Sequence, residues 1–256
     1  MENFQALFLG ILQGLTEFLP VSSSGHLVIA QHFIKFASAS LFFDIMLHIA
    51  TLFAVFIYFR KECAELLKAP FSPLGLLLIV ATIPTGLIGF FGQEHFKVLF
   101  ASPNVIPVTL VINGAILFTI SLLASKNSIE GQAFELTKNN ILKALLIGIA
   151  QGIAITPGIS RAGMTISSAL LCGFSLSQAF SFSFLLSIPA IIGAFILEFE
   201  GINNLSSYTP LIVGFAAAFV SGLAALYILR RLLWSGYLSL FGYYCVIMGG
   251  FFYFML

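Results

Sequence analysis

The sequence predicts an all-α polytopic membrane protein, and three observations support this fold class. Hydrophobic residues make up 59% of the 256 residues and charged residues only 8%, whereas about a quarter of the residues of a soluble domain are charged. Apolar stretches of about 20 residues, the length that crosses a bilayer, recur along the chain. The 22 glycines are typical of helices that approach one another closely in lipid. A water-soluble enzyme is therefore excluded. A nucleic-acid partner is excluded as well, because a net charge of +1 gives no basic face for phosphates.

Six uninterrupted apolar stretches are predicted to be transmembrane helices. They cover residues 41–59, 73–92, 104–124, 178–197, 209–229 and 238–256. Two further apolar stretches, 3–36 and 141–174, are each broken near the middle by proline, glycine and hydroxyl residues. Non-helical backbone at membrane depth needs protein or water around it, so we expect each broken stretch to form a re-entrant helix pair. Eight kinked full spans are the alternative.

The two interruptions are similar in sequence. The first break is residues 20–26 (PVSSSGH) and the second break is residues 157–163 (PGISRAG). At an offset of 138 residues, four of fourteen positions around them are identical. This similarity predicts a single membrane domain, 1–256, built from duplicated halves at about 1–125 and 140–256. Because each half has three spans, the second half is expected to be inverted, with a site at the interface between the repeats. Chance similarity of apolar segments is the alternative.

Basic residues fall mainly on one side of this six-span arrangement. Eight lie in connections on that side and two, Lys35 and Lys97, lie on the other. The eight are Arg60, Lys61, Lys68, Lys126, Lys138, Lys143, Arg230 and Arg231. Cytoplasmic loops carry the excess of Lys and Arg, so this side is predicted to be cytoplasmic and the N-terminal re-entrant pair is predicted to face outward.

The remaining basic residue, Arg161, falls inside the second break. A charge at membrane depth is costly and by default marks a functional site. Glu17 is the only acidic residue in the core of either broken stretch. If the repeats are inverted and the breaks meet near the midplane, Arg161 and Glu17 lie close together. A structural lock between the halves is the alternative role for Arg161.

Hydroxyl and imidazole groups surround this charged pair in the sequence. They belong to Ser22, Ser23, Ser24, His26, Ser160 and Thr165. The set suits a phosphate group, because arginine donates to phosphoryl oxygens through a fork and the N-terminus of a half-helix favours anions. Ser23 and His26 are three residues apart, which leaves open an activated serine or a nucleophilic histidine. Capping of helix ends is the alternative role for the serines.

Other polar residues inside the spans have less specific interpretations. Asp44 and His48 are four residues apart and can face one cavity, either as a hydrogen-bonded pair or with a direct role. Thr51 and Asn113 are predicted to make interhelical hydrogen bonds. The charged segment 60–68 is predicted to be a solvated turn.

Two segments, EFLPVSSSGH at 17–26 and PGISRAGMT at 157–165, resemble the signatures of the BacA/UppP-type undecaprenyl-diphosphate phosphatases. FDIMLH at 43–48 and SFLLSIP at 183–189 extend the resemblance over almost the whole chain. It implies an inner-membrane enzyme that hydrolyses undecaprenyl diphosphate to undecaprenyl phosphate and inorganic phosphate. This reaction recycles the lipid carrier of cell-wall synthesis and confers tolerance to bacitracin. The resemblance also implies an inverted-repeat fold whose site opens to the outer face.

Under this resemblance, the catalytic residues are Glu17, Ser23, His26 and Arg161. The resemblance also assigns Gln13, Ser160, Gly163 and Thr165 to contacts with the substrate phosphates. From the residues themselves, Ser22 is added to these contacts, and Asp44 and His48 are candidates for a position behind them. The resemblance also suggests Mg²⁺, held partly by substrate phosphates, with Glu17 as the candidate protein ligand.

The sequence departs from the family pattern at two positions. Gln13 stands where many members have glutamate, which leaves Glu17 as the sole candidate carboxylate there. Ala162 stands where the family usually has a second serine, so one hydroxyl donor to the phosphate is missing and full activity is in question.

Several properties are left open by the sequence. The nucleophile is Ser23, His26 or water, and the prenyl chain-length preference is undetermined. The oligomeric state is also open, with a homodimer among the options. A transporter or flippase of polyprenyl phosphate lipids is the alternative function, because broken helices in inverted repeats are a common transporter plan. A transporter needs no nucleophile, so Ser23 and His26 discriminate between the two functions.

Overall fold

The computed structural model describes residues 2–35, 41–123, 134–197 and 208–256, which form α-helices and one 3₁₀ helix without any strand. The helices of the first half are α1 (Glu2–Phe18), α2 (Ser23–Ile34), α3 (Leu41–Tyr58), α4 (Arg60–Lys68), α5 (Pro73–Phe91), α6 (Gln93–Phe100) and α7 (Ile106–Leu123), with the 3₁₀ helix at Pro103–Val105. Those of the second half are α8 (Lys138–Ile153), α9 (Arg161–Leu171), α10 (Leu176–Leu197), α11 (Thr209–Trp234) and α12 (Leu238–Met255). The predicted all-α class is confirmed, and Lys126 lies outside the described residues.

Five of the six predicted spans form helical segments long and apolar enough to cross a membrane, namely α5, α7 with the preceding 3₁₀ helix, α10, α11 and α12. The sixth, α3, is followed directly by α4, and the two helices are bent by 84°. Because α4 has no buried residue and is rich in charge, we assign the span to α3 alone. The protein is thus a multi-pass membrane protein.

The charged segment 60–68 is a helix, so the predicted turn is wrong. Glu62 lies in the first turn of α4 and Lys68 in its last turn. This arrangement of charges complements the helix dipole. The segment remains solvated, as expected, but its backbone continues as a surface helix after the bend.

Both broken stretches form the predicted helix, interruption and second helix. Each interruption contains one residue with a positive φ, Ser22 at 67° and Gly158 at 91°. A non-glycine residue in such a conformation costs about 1–3 kcal/mol unless its surroundings hold it. At the second position, an added Cβ would lie 1.8 Å from Thr109 Oγ1. Glycine is therefore required there both for its conformation and for the contact with α7.

Contacts between a helix of the first half and a helix of the second half recur between the counterparts of those two helices. α1 packs on α11, while α8, the counterpart of α1, packs on α5, the counterpart of α11. In the same relation, α3 contacts α11 and α10 contacts α5. α7 packs on its own counterpart, α12. A two-fold relation between the halves would produce this pattern of contacts, and the repeat stays a prediction.

The equivalent helix pairs α1/α11 and α8/α5 approach each other at glycines. A Cβ on Gly14 of α1 would lie 2.5 Å from the carbonyl oxygen of Ala218 on α11. A Cβ on Gly148 of α8 would lie 2.0 Å from the carbonyl oxygen of Ala81 on α5. Small residues permit such backbone contacts between helices in lipid. These contacts fix α1 and α8, the helices that lead into the two breaks.

The helix ends that carry the basic residues lie at one end of the bundle. Tyr58, which ends α3, contacts Tyr227 of α11 and Phe180 of α10, with ring centroids 4.9 and 6.0 Å apart. Lys143, near the start of α8, lies 5.3 Å over the ring of Phe174. The basic ends of α3, α8 and α11 therefore meet on one side, as the six-span arrangement requires.

Candidate active site

The two breaks meet at Glu17, near the end of α1. Its side chain is buried and accepts hydrogen bonds from Arg161 Nη2, from Ser23 Oγ at 2.6 Å and from Gln13 Nε2 at 3.0 Å. His48 Nδ1 lies 3.2 Å from Glu17 Oε2. These five residues are called the Glu17 cluster. The expected proximity of Arg161 and Glu17 is confirmed, across 144 residues of sequence.

Local structure explains why Ser23 and Arg161 reach the cluster. Ser23 is the first residue of α2, because the Ser22 hydroxyl caps that helix by accepting from the Gly25 N–H at 3.3 Å. Arg161 is likewise the first residue of α9, which the Ser160 hydroxyl caps. Each functional side chain therefore projects from a helix N-terminus, where the first N–H groups have no helical acceptor and the dipole favours an anion.

Ser22 and Ser160 are thus capping residues, which was the alternative for the serines. The Ser160 hydroxyl accepts from the Gly163 N–H at 3.0 Å, so that N–H is not free for a phosphate. Gly163 instead permits close approach, because a Cβ there would lie 3.2 Å from Pro20 Cβ in the first break. These residues shape the breaks, and their predicted contacts with a phosphate stay predictions.

Thr165 lies one turn into α9 and is not brought to the cluster. Its hydroxyl donates to the carbonyl oxygen of Arg161 at 2.8 Å and lies 2.5 Å from Ser183 Oγ on α10. The side chain is fully buried. Thr165 therefore joins α9 to α10, and its predicted contact with a phosphate stays a prediction.

His26 has partners outside the cluster. Its Nδ1 lies 2.7 Å from the Ser22 carbonyl oxygen, and its Nε2 lies 2.8 Å from Tyr244 Oη on α12. Ser23 and His26 share the first turns of α2, as expected, but the two side chains make different contacts. The histidine that approaches the Glu17 carboxylate is His48 and not His26. Sequence spacing alone did not indicate which of the two histidines would do so.

Asp44 and His48, for which a hydrogen-bonded pair and a direct role were both open, have different hydrogen-bond partners. Asp44 Oδ1 accepts from Gln31 Nε2 at 2.6 Å, while His48 Nδ1 lies 2.9 Å from Gln13 Nε2. Thr51 donates to the His48 carbonyl oxygen at 2.8 Å within its own helix, so its predicted interhelical bond is wrong. His48 is therefore a direct member of the cluster, and Asp44 lies behind it.

Asn113 of α7 makes the predicted interhelical bonds, and they reach both breaks. Its Nδ2 donates to the Pro20 carbonyl oxygen at 3.0 Å. Its Oδ1 accepts from the Ser160 N–H at 3.0 Å. A lone amide in an apolar span was the available signal, but its partners were not predictable from spacing.

Two buried polar atoms of the cluster have no hydrogen-bond partner among the described residues, Arg161 Nη1 and Gln13 Oε1. Leaving a buried donor unpaired costs about 1–3 kcal/mol, and more for a charged group. A phosphoryl oxygen is a natural acceptor for a guanidinium N–H. The cluster thus combines a free cationic donor with a hydroxyl that already donates to a carboxylate.

The donor set does not fit Mg²⁺ held by the protein alone. Within the described residues there is no group of three His, Cys, Asp or Glu side chains placed to bind a metal. Glu17 is the one carboxylate of the cluster, and both of its oxygens accept hydrogen bonds. Mg²⁺ is usually held by one or two carboxylates plus substrate phosphates. Its participation stays a prediction of the resemblance, and we assign it no step.

Comparison with known proteins covers nearly the full length of the chain. The family model for bacitracin resistance protein BacA matches residues 6–251. An undecaprenyl-diphosphatase of Carboxydothermus hydrogenoformans is 44% identical over 255 residues, which cover 97% of this chain and 95% of the relative. One of Syntrophotalea carbinolica is 41% identical, covering 99% of this chain and 98% of the relative. Undecaprenyl-diphosphatase 3 of Bacillus cereus is 43% identical, with coverages of 95% and 93%. The matched residues include both breaks and the whole Glu17 cluster.

Proposed function

Because the chain belongs to the bacitracin resistance protein BacA family, we propose that it is an integral membrane phosphatase acting on undecaprenyl diphosphate. The products are undecaprenyl phosphate and inorganic phosphate. The observation that carries the proposal is the Ser23 hydroxyl, 2.6 Å from Glu17 Oε2, beside a guanidinium with an unpartnered nitrogen. Nucleophile, proton acceptor and phosphate-binding cation are what phosphoryl transfer through a covalent intermediate needs.

In the first step, Arg161 binds the terminal phosphate through Nη1 while Nη2 retains Glu17. Ser23 Oγ forms a bond to the terminal phosphorus, and the bond from that phosphorus to the bridging oxygen breaks. Undecaprenyl phosphate leaves with the electron pair of the broken bond, and the Ser23 proton passes to Glu17. The N-termini of α2 and α9 stabilise the charge that develops on the phosphoryl oxygens.

In the second step, water attacks the phosphoserine. Its oxygen bonds to phosphorus as the bond to Ser23 Oγ breaks, and Glu17 returns its proton to Ser23. Inorganic phosphate leaves with both protons of the water. His26 is not assigned as the nucleophile, because its two ring nitrogens are engaged by Ser22 and Tyr244.

We place the enzyme in the bacterial cytoplasmic membrane with its site open to the outer face. The support is electrostatic, since the basic ends of α3, α8 and α11 lie together and cytoplasmic ends carry such residues. The prenyl chain lies among membrane lipids along the apolar exterior of the bundle. The reaction would recycle the lipid carrier for cell-wall synthesis and give tolerance to bacitracin. No observation favours the transporter alternative.

The direct test is phosphate release from undecaprenyl diphosphate by the purified protein in detergent. We expect wild-type protein to release phosphate, and Arg161→Ala and Glu17→Gln each to lower the rate by about 10³-fold or more. Thermal unfolding of each variant controls for misfolding. Absence of release by wild-type protein, or a full rate for folded Arg161→Ala, contradicts the proposal.

A further inference from the structure

We propose that Asn113 is a positioning residue that aligns the two breaks, so that the nucleophile of one half faces the arginine of the other. This inference rests on the proposed phosphatase function. Asn113 lies on α7 and is 1% exposed. Within the described residues, it is the one side chain that hydrogen-bonds backbone atoms of both breaks.

The two bonds fix the orientation of the amide. Pro20 presents a carbonyl oxygen, which can only accept, and Ser160 presents an N–H, which can only donate. Nδ2 must therefore face the first break and Oδ1 the second, at 3.0 Å in each case. The second Nδ2 hydrogen points to Cys245 Sγ at 3.3 Å. A side chain with only donors or only acceptors at this position would lose the hydrogen bond to one of the two breaks.

The bonded backbone atoms are close in sequence to the reacting groups. Pro20 is three residues from both Glu17 and Ser23, and Ser160 immediately precedes Arg161. A shift of either backbone segment moves these side chains directly. A misplacement of about 1 Å in reacting groups can cost about 10²-fold in rate. The Asn113 amide can therefore affect the rate of catalysis without touching the substrate.

A neighbouring residue on the same face of α7 supports this role. Thr109, one turn before Asn113, donates to the Pro157 carbonyl oxygen at 2.7 Å. It also packs against Gly158, whose φ is 91°. Backbone groups at membrane depth need hydrogen-bond partners from the protein. Two residues of α7, Thr109 and Asn113, are such partners for the second break. The contact with the first break is made by Asn113 and not by Thr109.

The test compares Asn113→Ala with Cys245→Ala. The second change removes the third contact of the amide and the 3.7 Å contact of Cys245 Sγ with the Pro20 carbonyl oxygen, but it keeps both amide bonds to the breaks. Phosphate release is measured at varied substrate concentration. We expect Asn113→Ala to lower kcat by about 10²-fold with little change in KM, and Cys245→Ala to keep the wild-type rate. Combined with Arg161→Lys, the Asn113→Ala loss should be less than multiplicative, because both changes disturb one alignment. A wild-type kcat for Asn113→Ala, or strictly multiplicative losses, would overturn the proposal.

Hydrogen exchange gives a measurement that does not depend on activity. Asn113→Ala should speed amide exchange in both breaks. Asn113→Asp keeps the acceptor for Ser160 but loses the donor to Pro20, so its faster exchange should be confined to the first break. The exchange measurement tests the positioning role even if wild-type protein releases no phosphate. In that case the proposed function fails, but the measurement still decides whether Asn113 aligns the breaks. Unchanged exchange in both variants contradicts it.

Discussion

Ser23 and Ser24 are adjacent and chemically identical, yet the structure places only one of them at the reacting carboxylate. Ser23 Oγ donates to Glu17 Oε2 at 2.6 Å. Ser24 Oγ lies 3.4 Å from Ser22 Oγ and does not reach the cluster. Successive residues of a helix point about 100° apart, so the first residue of α2 alone faces Glu17. The capping bond of Ser22 therefore decides which serine can attack.

This placement predicts different outcomes for Ser23→Ala and Ser24→Ala. Removing the nucleophile should lower phosphate release by at least about 10³-fold, whereas Ser24→Ala should keep most of the activity. An acid-quenched reaction with substrate labelled in the terminal phosphate should show a phosphoserine in wild-type protein and not in Ser23→Ala. Equal losses in the two variants, or a labelled Ser23→Ala protein, would refute attack by Ser23.

The charged members of the site and Ser23 were predictable from sequence, but the contacts of the two histidines were not. Arg161 and Glu17 stood out because charge is expensive in lipid, and that argument needs no coordinates. His48 reaches Glu17 from α3, which packs on α1. The turn of His26 toward Tyr244 depends on how α2 leaves the first break. That exit is set by Ser22 at φ 67°, a conformation that hydropathy and spacing do not encode.

At the scale of helices, the glycine contact between α1 and α11 controls where Glu17 sits. Gly14 is three residues before Glu17, and a Cβ there would lie 2.0 Å from Ser221 Oγ and 2.5 Å from the Ala218 carbonyl oxygen. The carbonyl is backbone and cannot rotate away. Any side chain at position 14 must therefore push the helices apart and displace the carboxylate.

We expect Gly14→Ala to be destabilised by about 1–3 kcal/mol, the typical cost of overpacking, and to lose activity. Gly86→Ala on α5 is the matched control, because a Cβ there meets nothing within 4 Å. Alanine is the better helix former by about 1 kcal/mol, so this variant should be at least as stable as wild type. Thermal unfolding in detergent measures both. A melting temperature of Gly14→Ala equal to that of the control contradicts the contact.

Hydropathy predicted the long helices because lipid-spanning length is a strong constraint. It did not predict the short surface helices α4 and α6. Such segments are amphipathic and charged, so composition alone does not separate a surface helix from a solvated turn. The 84° bend between α3 and α4 marks the point at which the membrane-spanning helix ends and the surface helix begins.

At the scale of the whole molecule, the site exists only because two halves meet. Glu17 and Ser23 come from the first half and Arg161 from the second, while the exchanged packing of α1 on α11 and α8 on α5 brings the halves together. If the halves are inverted, one re-entrant pair enters from each side of the membrane, and the breaks must meet near its middle. The side from which a diphosphate reaches them then depends on orientation, which the basic residues predict.

Orientation can be tested with single cysteines in a background in which Cys63, Cys172 and Cys245 are replaced by alanine. Lys97→Cys on α6 and Lys68→Cys on α4 are both exposed positions that lie on opposite sides in the six-span arrangement. We expect a membrane-impermeant thiol reagent to label position 97 in intact cells and position 68 only after permeabilisation, because the end rich in Lys and Arg stays in the cytoplasm. Labelling of both positions in permeabilised cells controls for reactivity. The reverse pattern in intact cells would place the α1–α2 pair toward the cytoplasm, and hydrolysis would then have to take place on lipid diphosphate approaching from the inner face.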